Sequence, residues 1–269
     1  MSCCICGPVK NCSPYIEKVL ENMEKIGEIF DDYTILIYYD KSTDDTLEKL
    51  KKYQLKNSKM QLYVSTQKVS PFRTHNIAKA RNFCLNYVKQ NKETFPYFIM
   101  MDCDEVNCKS CDPEILKKYL LREDWDALSF NTSPKYYDIW GLSIYPYCFS
   151  YNHFENNDKF YGIIQDYIVH RLNTLPKGKL LSCISSFNGF SIYKTPKFMN
   201  TYYDGRIRTD LVPQKNMASH SKFAQSGLVY KKYVTSDCRY EDCEHRAFHI
   251  MARQNSRARI MISPEVLFD

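Results

Sequence analysis

Asp102 and Asp104 stand at the end of the apolar run Phe98-Ile99-Met100-Met101, with Cys103 between them. Alternate residues of a strand share a face, so this spacing can turn both carboxylates into one cleft while Cys103 points away. Mg²⁺ and Mn²⁺ are held by one or two carboxylates together with phosphate oxygens and water. The pair therefore suits a cation that neutralises the charge developing on a nucleoside diphosphate as it leaves. An Asp-x-Asp is also a common solvated turn; the buried strand ahead of it favours the ligand-binding reading, because ligands of open α/β sheets sit beyond the strands' carboxyl ends.

Other residues have chemistry of their own. Arg81 falls inside the apolar helical stripe of Ile77, Cys84, Leu85 and Val88, where a bare charge is costly and an anion is required. That anion is either a structural carboxylate or a donor diphosphate. Arg73, in a Pro-Phe-Arg loop just upstream, is the residue expected to touch a donor directly. His245 and His249 lie one helical turn apart, a pairing that serves a metal site or a structural pair. Glu241, Asp242 and Glu244 beside them offer groups to deprotonate an acceptor, or ordinary negative charge in the first turn of a helix. Trp140, Tyr137 and Tyr136 could form a stacking surface for a ligand, although aromatic residues in a chain with 22 Tyr are more often core.

The elements that must position these groups follow from periodicity. Residues 2–6 read as a short apolar strand, ended by Gly7 and Pro8. Ser13 as N-cap and Pro14 at the first helical position then open a helix marked by Ile16, Val19, Leu20, Met23 and Ile26. A strand over 34–39, the polar loop 40–45 and a helix over 46–53 repeat that order. A strand over 60–65, a helix over 76–89 and a strand over 97–101 complete it, and a further helix begins at Asp112-Pro113. Continuous rather than alternating hydrophobicity predicts strands buried on both faces. This alternation belongs to an open, mostly parallel sheet with helices on both faces. Segments rich in Tyr, Trp and Pro over 125–154 are expected to be irregular strands and binding loops. The expected organisation is a single domain over 1–269, with a nucleotide-binding half over 1–110 and an acceptor-binding half over 111–269.

Length and composition bound the reading. A chain of 269 residues, 44% hydrophobic and 25% charged, is globular. Its +6 charge attracts a diphosphate but is spread too evenly for a nucleic-acid footprint. No run reaches the ~18 apolar residues of a membrane span. A first strand starting at Ser2 leaves no room for a signal peptide, so a cytoplasmic location and twelve reduced cysteines are expected. The abundance of Lys, Asn, Tyr and Ile resembles the output of an AT-rich genome such as that of a giant virus or a protist.

Three segments carry a resemblance. Phe98-Ile99-Met100-Met101-Asp102-Cys103-Asp104 resembles the DxD strand of GT-A glycosyltransferases. Asp40-Lys41-Ser42-Thr43-Asp44-Asp45-Thr46 resembles the Asp-x-Ser-x-Asp loop after their second strand, and Ile77-Ala78-Lys79-Ala80-Arg81-Asn82 the Ala-Arg-Asn helix of family 2-like enzymes. Together these span residues 2 to about 107. Downstream, Tyr136-Tyr137-Asp138-Ile139-Trp140-Gly141 and Cys243-Glu244-His245 are similar to segments of fungal capsule-type mannosyltransferases. The resemblance implies a GT-A fold and sugar transfer from a UDP- or GDP-sugar to a glycan, glycoprotein or other hydroxyl acceptor, with Mn²⁺ or Mg²⁺. By it, Asp40 meets the nucleotide base, Pro8 and Lys10 lie along the nucleoside, Asp102 meets the ribose or a metal-bound water, and Asp104 binds the metal. His245 becomes a third metal ligand. Glu241-Asp242 resembles the acidic pair that carries the base of inverting enzymes, whereas Glu244-His245 matches the capsule-type alignment. Helical geometry does not choose between them; Asp242 is taken as the base, with Glu244 the alternative.

A nucleotidyltransferase would share the sheet and the acidic pair, but it wants a Gly-rich basic loop after the first strand, which Cys6-Gly7-Pro8-Val9-Lys10 does not supply. A zinc-stabilised nucleic-acid-binding protein is suggested by Cys108-x-x-Cys111 and the pair Cys238 and Cys243, yet one CxxC lacks a second at matching spacing. A two-metal phosphoesterase would need denser His and Asp clusters. Thiol titration of the denatured protein is expected to count about twelve free groups, the number of cysteines in the chain; one equivalent of tightly bound zinc would instead favour the nucleic-acid reading.

Overall fold

Every residue from Phe98 to Met101 is sealed from solvent, as expected of a strand covered on both faces. The computed structural model describes residues 1–66, 70–154, 157–225, 227 and 241–269. Among them one sheet holds eight strands in the order β3-β2-β1-β4-β7-β5-β8-β6. They are β1 (Ser2–Val9), β2 (Asp32–Tyr39), β3 (Met60–Val64), β4 (Tyr97–Met101), β5 (Ala127–Asn131), β6 (Leu181–Cys183), β7 (Phe190–Lys194) and β8 (Ile260–Val266). The helices are α1 (Ile16–Gly27), α2 (Thr46–Gln54), α3 (Arg73–Gln90), α4 (Pro113–Leu120), α5 (Asn157–Asn173), α6 (Gln214–Ala224) and α7 (Glu244–Ser256).

Strand periodicity divides the core in two. Cys4, Cys6, Leu36, Phe98 and Met100 face one side, where Cys84 and Leu85 of α3, Ile168 of α5 and Phe248 of α7 cover them. Cys3, Ile5, Ile35, Ile99 and Met101 face the other, against Val19 and Met23 of α1, Leu50 of α2 and Leu116 of α4. Both faces are thus lined by apolar side chains, which is why these strands read as unbroken runs. The sheet is mixed: β1 runs parallel to β2 and β4, whereas β7 lies antiparallel between β4 and β5. The change of sequence character near residue 110 therefore does not interrupt the sheet.

Three of the boundaries that differ from the sequence reading have a visible cause. The first strand does not stop at Gly7 and Pro8 but continues to Val9, with Pro8 opposite Tyr38 of β2. Pro8 lies beyond Cys6, the last residue that β1 pairs with β4, so the strand is an edge on that side and tolerates a residue without an N–H. Helix α1 begins at Ile16 rather than at Pro14. The Ser13 hydroxyl caps nothing there; it donates to Asp45, and the Ser13 N–H donates to Asp44 Oδ2 at 3.1 Å. Helix α3 begins at Arg73 rather than near 76, because the Glu241 carboxylate, distant in sequence, accepts the Thr74 N–H at 2.9 Å. The segment expected to be irregular over 125–154 starts with an ordered strand, β5, before its loops.

Below β4 the chain is fastened by two buried asparagines. Asn107 Nδ2 donates to the carbonyls of Asp102 at 2.9 Å and Gly189 at 2.8 Å. Asn22 Nδ2, from α1, donates to the carbonyls of Asn107 at 2.8 Å and Lys109 at 2.7 Å. Asn22→Ala strips two carbonyls of their donor, and a lost partner to buried polar groups costs about 1–3 kcal/mol. Urea unfolding is expected to show a loss of that size at unchanged m-value; an unaltered midpoint would show that water replaces the side chain.

Candidate active site

A cavity of about 540 Å³ opens where β1, β2 and β4 end. The chain moves from β1 outwards to β2 and β3, then returns to place β4 on the other side of β1. Such a reversal leaves a crevice beyond the strands' carboxyl ends. Pro8, Lys10, Asp40, Arg73, Asp102 and Asp104 all line it, so the residues assigned to the donor from the sequence are brought together.

The loops that carry them are cross-tied. Asn11, at a left-handed φ of 51°, receives the Thr43 N–H on Oδ1 at 2.8 Å, and its own N–H donates to Ser42 Oγ at 2.9 Å. Cys12 N–H donates to Thr46 Oγ1 at 2.9 Å. Ser42, Asp44 and Asp45 of the Asp-x-Ser-x-Asp loop are thus occupied in holding the loop after β1, while Asp40 is left to face the cavity. Its carboxylate lies 3.7 Å from Lys10 Nζ.

Arg81 meets the demand its position creates. It is buried, with Nη2 2.7 Å from Asp102 Oδ1 and Nε 2.8 Å from Glu244 Oε1. Burial works against its charge, but Asp102 and Glu244 more than offset this and raise its pKa. The structural-carboxylate reading of its partner is the one realised, and one of those carboxylates is itself a residue of the Asp-x-Asp. Asp104 has no cation beside it among the described residues. It accepts the Val106 N–H at 3.1 Å and the Tyr137 hydroxyl at 3.3 Å. Burial, and then the Asp102 charge, push it up to about 6. A carboxylate in that condition gains from a divalent cation.

The remaining expectations fare differently. Tyr137 reaches the site through Asp104, but Trp140 is outside the cavity lining, and its carbonyl accepts from Arg246. Tyr136 is core, its hydroxyl 2.7 Å from Ser186 Oγ. Asp242, expected as the base, is buried with Oδ2 2.8 Å from Arg246 Nε, and Oδ1 3.5 Å from His153 Nε2. Burial raises its pKa, but Arg246 and His153 outweigh that and leave it lowered, a poor setting for taking a proton. Glu244 is equally enclosed and committed to Arg81. His245 is not brought to the Asp-x-Asp. Its ring stacks on Phe187 at 3.8 Å and meets Tyr203 edge-on, and burial followed by Arg81 holds it neutral. Among the described residues no third His, Cys, Asp or Glu joins a metal-sized cluster, so a cation on Asp104 and Asp102 would take its other ligands from phosphate and water. His249 contacts Ser185 and Tyr193 and is structural. Of the zinc candidates, Cys108 donates to the Glu105 carbonyl and Cys111 is buried, while Cys238 lies outside the described residues.

Sequence reasoning passed over Arg246, Asn188 and Asp138. Asp138 stood inside a segment noted for its aromatic residues, and its acidity, next to Tyr137, was the available signal. Asn188 Oδ1 accepts the N–H groups of both Tyr137 and Asp138 at 2.9 Å, a long-range contact that no local pattern announces.

The model of the family described as Glycosyl transferase family 2 matches residues 4–171. The chain belongs to that family. Its fold is accordingly the GT-A fold, and the match takes in the cavity and the Asp-x-Asp of this family 2 member. A search of curated proteins finds no match. Among solved structures, the chain is similar to S. aureus TarS 1-349 in complex with UDP-GlcNAc, at 14% identity and a TM-score of 0.49, covering 100% of this chain and 57% of that one. It is also similar to the mannosyltransferase PcManGT from Pyrobaculum calidifontis in complex with GDP-Man and Mn²⁺, at 14% identity and 0.42, covering 75% and 47%. A third is glucosyl-3-phosphoglycerate synthase from Mycobacterium tuberculosis with Mn²⁺, UDP and phosphoglyceric acid, at 12% identity and 0.41, covering 73% and 57%. This family 2 chain thus spans less than two thirds of the length of each.

Arg81→Met leaves Asp102 and Glu244 without their shared cation. Breaking a buried ion pair on one side costs about 3–5 kcal/mol, and urea unfolding at pH 7.5 is expected to show that loss. The sign with pH follows from Glu244, raised by burial and pulled back most strongly by Arg81. Without the guanidinium its folded pKa rises further, so the deficit shrinks as pH falls and the carboxyl protonates. A deficit that stays constant down to pH 5 would show that the cost is packing, not charge.

Proposed function

We propose that this protein transfers a glycosyl group from a UDP- or GDP-sugar to a hydroxyl of a glycan or glycoprotein, with Mn²⁺ or Mg²⁺ as its cation. The observation that carries the reading is the gathering of Pro8, Lys10, Asp40, Arg73, Asp102 and Asp104 around one cavity at the reversal of strand order. Asp40 lies where it can accept from a base, Pro8 and Lys10 along the nucleoside, and Arg73 within reach of the diphosphate. Asp104 and Asp102 fit a hard cation, because Asp104 is a carboxylate under repulsion with no cation from the described residues to relieve it. Such a cation would neutralise the charge on the departing diphosphate. Residues 1–110 serve the donor and 111–269 the acceptor, with Tyr137 and Trp140 on the acceptor side. No helix among the described residues is long and apolar enough to cross a membrane. The eleven described cysteines are all unpaired, which supports a reducing compartment such as the cytoplasm.

Thermal shift with UDP-GlcNAc, UDP-glucose and GDP-mannose, each with and without Mn²⁺, tests the reading, since a ligand that binds only the native state raises its apparent stability. A cation-dependent shift with at least one donor is expected, and Asp104→Ala should abolish it while leaving the unliganded protein folded. Because Asp104 must lose its proton to take a cation and sits at about 6, Mn²⁺ affinity is expected to fall about tenfold per pH unit below that value and to level off above it. An Asp104→Ala variant with undiminished cation-dependent binding would remove the Asp-x-Asp from the site.

A further inference from the structure

Two helices of the chain end on the same pattern. Lys51-Lys52-Tyr53-Gln54-Leu55 closes α2, and Lys117-Lys118-Tyr119-Leu120-Leu121 closes α4. Leu55 and Leu121 each stand at the C-cap with helical dihedrals, so spacings of three and four residues put each leucine on the face of its two lysines. The tyrosines turn the other way and pack into the core shared with α1. The leucines do not: they are 90% and 85% exposed, whereas Tyr145, the next most exposed large apolar side chain among the described residues, is at 60%. Lysine in the last turn of a helix is accounted for by the helix dipole. A leucine left in water at the matching place on both helices is not.

Both patterns lie at one end of the molecule. Helices α2 and α4 follow β2 and β4, which end at the cavity, and run back along the sheet. Their last turns therefore sit beside the strand starts, where Ser2 pairs with Asp32 and Cys3 with Tyr97. Helix α1 packs against both of them, and ordinary helix spacing sets the two leucines roughly 20 Å apart. Lys51, Lys52 and Lys56 are exposed and form no ion pair among the described residues. Lys117 and Lys118 lie 3.3 Å from Glu114 and 3.8 Å from Glu265, exposed pairs of a kind that contribute little. Of the acids at this end, Asp32 is taken by Lys59 at 2.9 Å and Glu24 accepts from Asn57. Glu28 and Asp31 are exposed, and the five lysines outnumber them.

We propose that this end of the molecule docks on an anionic lipid bilayer, with Leu55 and Leu121 entering the headgroup layer and Lys51, Lys52, Lys56, Lys117 and Lys118 against the lipid phosphates. Apolar side chains flanked by lysines match the chemistry of such a surface, which offers negative charge above and hydrocarbon just below. Lysines alone would suit any polyanion, but a nucleic acid would meet the lysines and leave both leucines in water. A bilayer satisfies both groups at once, on a plane wide enough to reach both helices. The docked molecule carries its cavity on the side facing away from the lipid. The inference goes beyond the glycosyl-transfer reading and does not depend on it.

The test is cosedimentation of the full chain with vesicles of phosphatidylcholine alone and of phosphatidylcholine containing phosphatidylglycerol. Binding is expected on the anionic vesicles, little on the neutral ones, and less as salt is raised. Lys51→Glu together with Lys52→Glu should lower the affinity at least ~10-fold, and Leu55→Ser together with Leu121→Ser should lower it several-fold. All four positions are exposed, so the variants should keep the parent Tm. Leu55→Trp should add an emission that brominated acyl chains quench. Failure to bind anionic vesicles, equal binding to neutral ones, or undiminished binding by the double serine variant overturns the proposal. An oligonucleotide bound as tightly as the vesicles would overturn it in favour of a polyanion site, and a dimer that the serine variant dissociates would overturn it in favour of a second copy of this chain. None of these outcomes alters the donor-dependent thermal shift, so the two readings fail separately.

Discussion

The Arg81 guanidinium is enclosed where α3, the end of β4 and the first turn of α7 meet, and it ion-pairs with a carboxylate from each of the latter two. A cation in that position constrains everything around it. It draws both carboxylates to itself, it lies against the Phe187 ring at 4.5 Å, and it fixes Asp102, whereas Asp104 has no cation beside it among the described residues. Removing a single partner from such an arrangement exposes the full desolvation cost of the others. The site therefore has a fixed carboxylate and an available one.

A second buried pair repeats the device. Arg246 joins Asp242 to the carbonyls of Trp140 and Leu142 and to the Ser143 hydroxyl. It fastens the loop after β5 to α7 as Arg81 fastens α7 to β4. Two guanidiniums on successive layers thus determine which acidic residues are structural. Asp242 and Glu244, conspicuous in the sequence, are absorbed by them, whereas Glu241 accepts the Thr74 N–H.

What could be read in the sequence depended on how local the cause was. The strands β2 and β4, the helices α1 and α2 and the apolar stripe around Arg81 come from periodicities within a few turns, so they were legible, as was the cavity that opens at the ends of the strands. The partner of Arg81 was inferred as an anion because burial of a lone charge is forbidden whatever the fold. Other contacts were not legible for the opposite reason: Asn188 holds the N–H groups of Tyr137 and Asp138 from 51 and 50 residues away, and such a contact leaves no local signature. The early start of α3, set by Glu241, and the extension of β1 through Pro8, set by where β4 ends, belong to the same class.

The antiparallel insertion of β7 between β4 and β5 has a consequence for how the chain is made. On a ribosome, β1 to β4 emerge first and can pair among themselves, but β4 then presents a bare row of N–H and C=O groups until Phe190–Lys194 arrives. The segment that bears the Asp-x-Asp spends that interval as an open edge, apolar on both faces and prone to pairing with another chain. Its closing contact spans roughly a third of the polypeptide, a long loop whose closure slows folding. Assembly of the nucleotide end of the molecule thus waits on the translation of its distal half, and a nascent chain stalled before β7 is the form most exposed to aggregation.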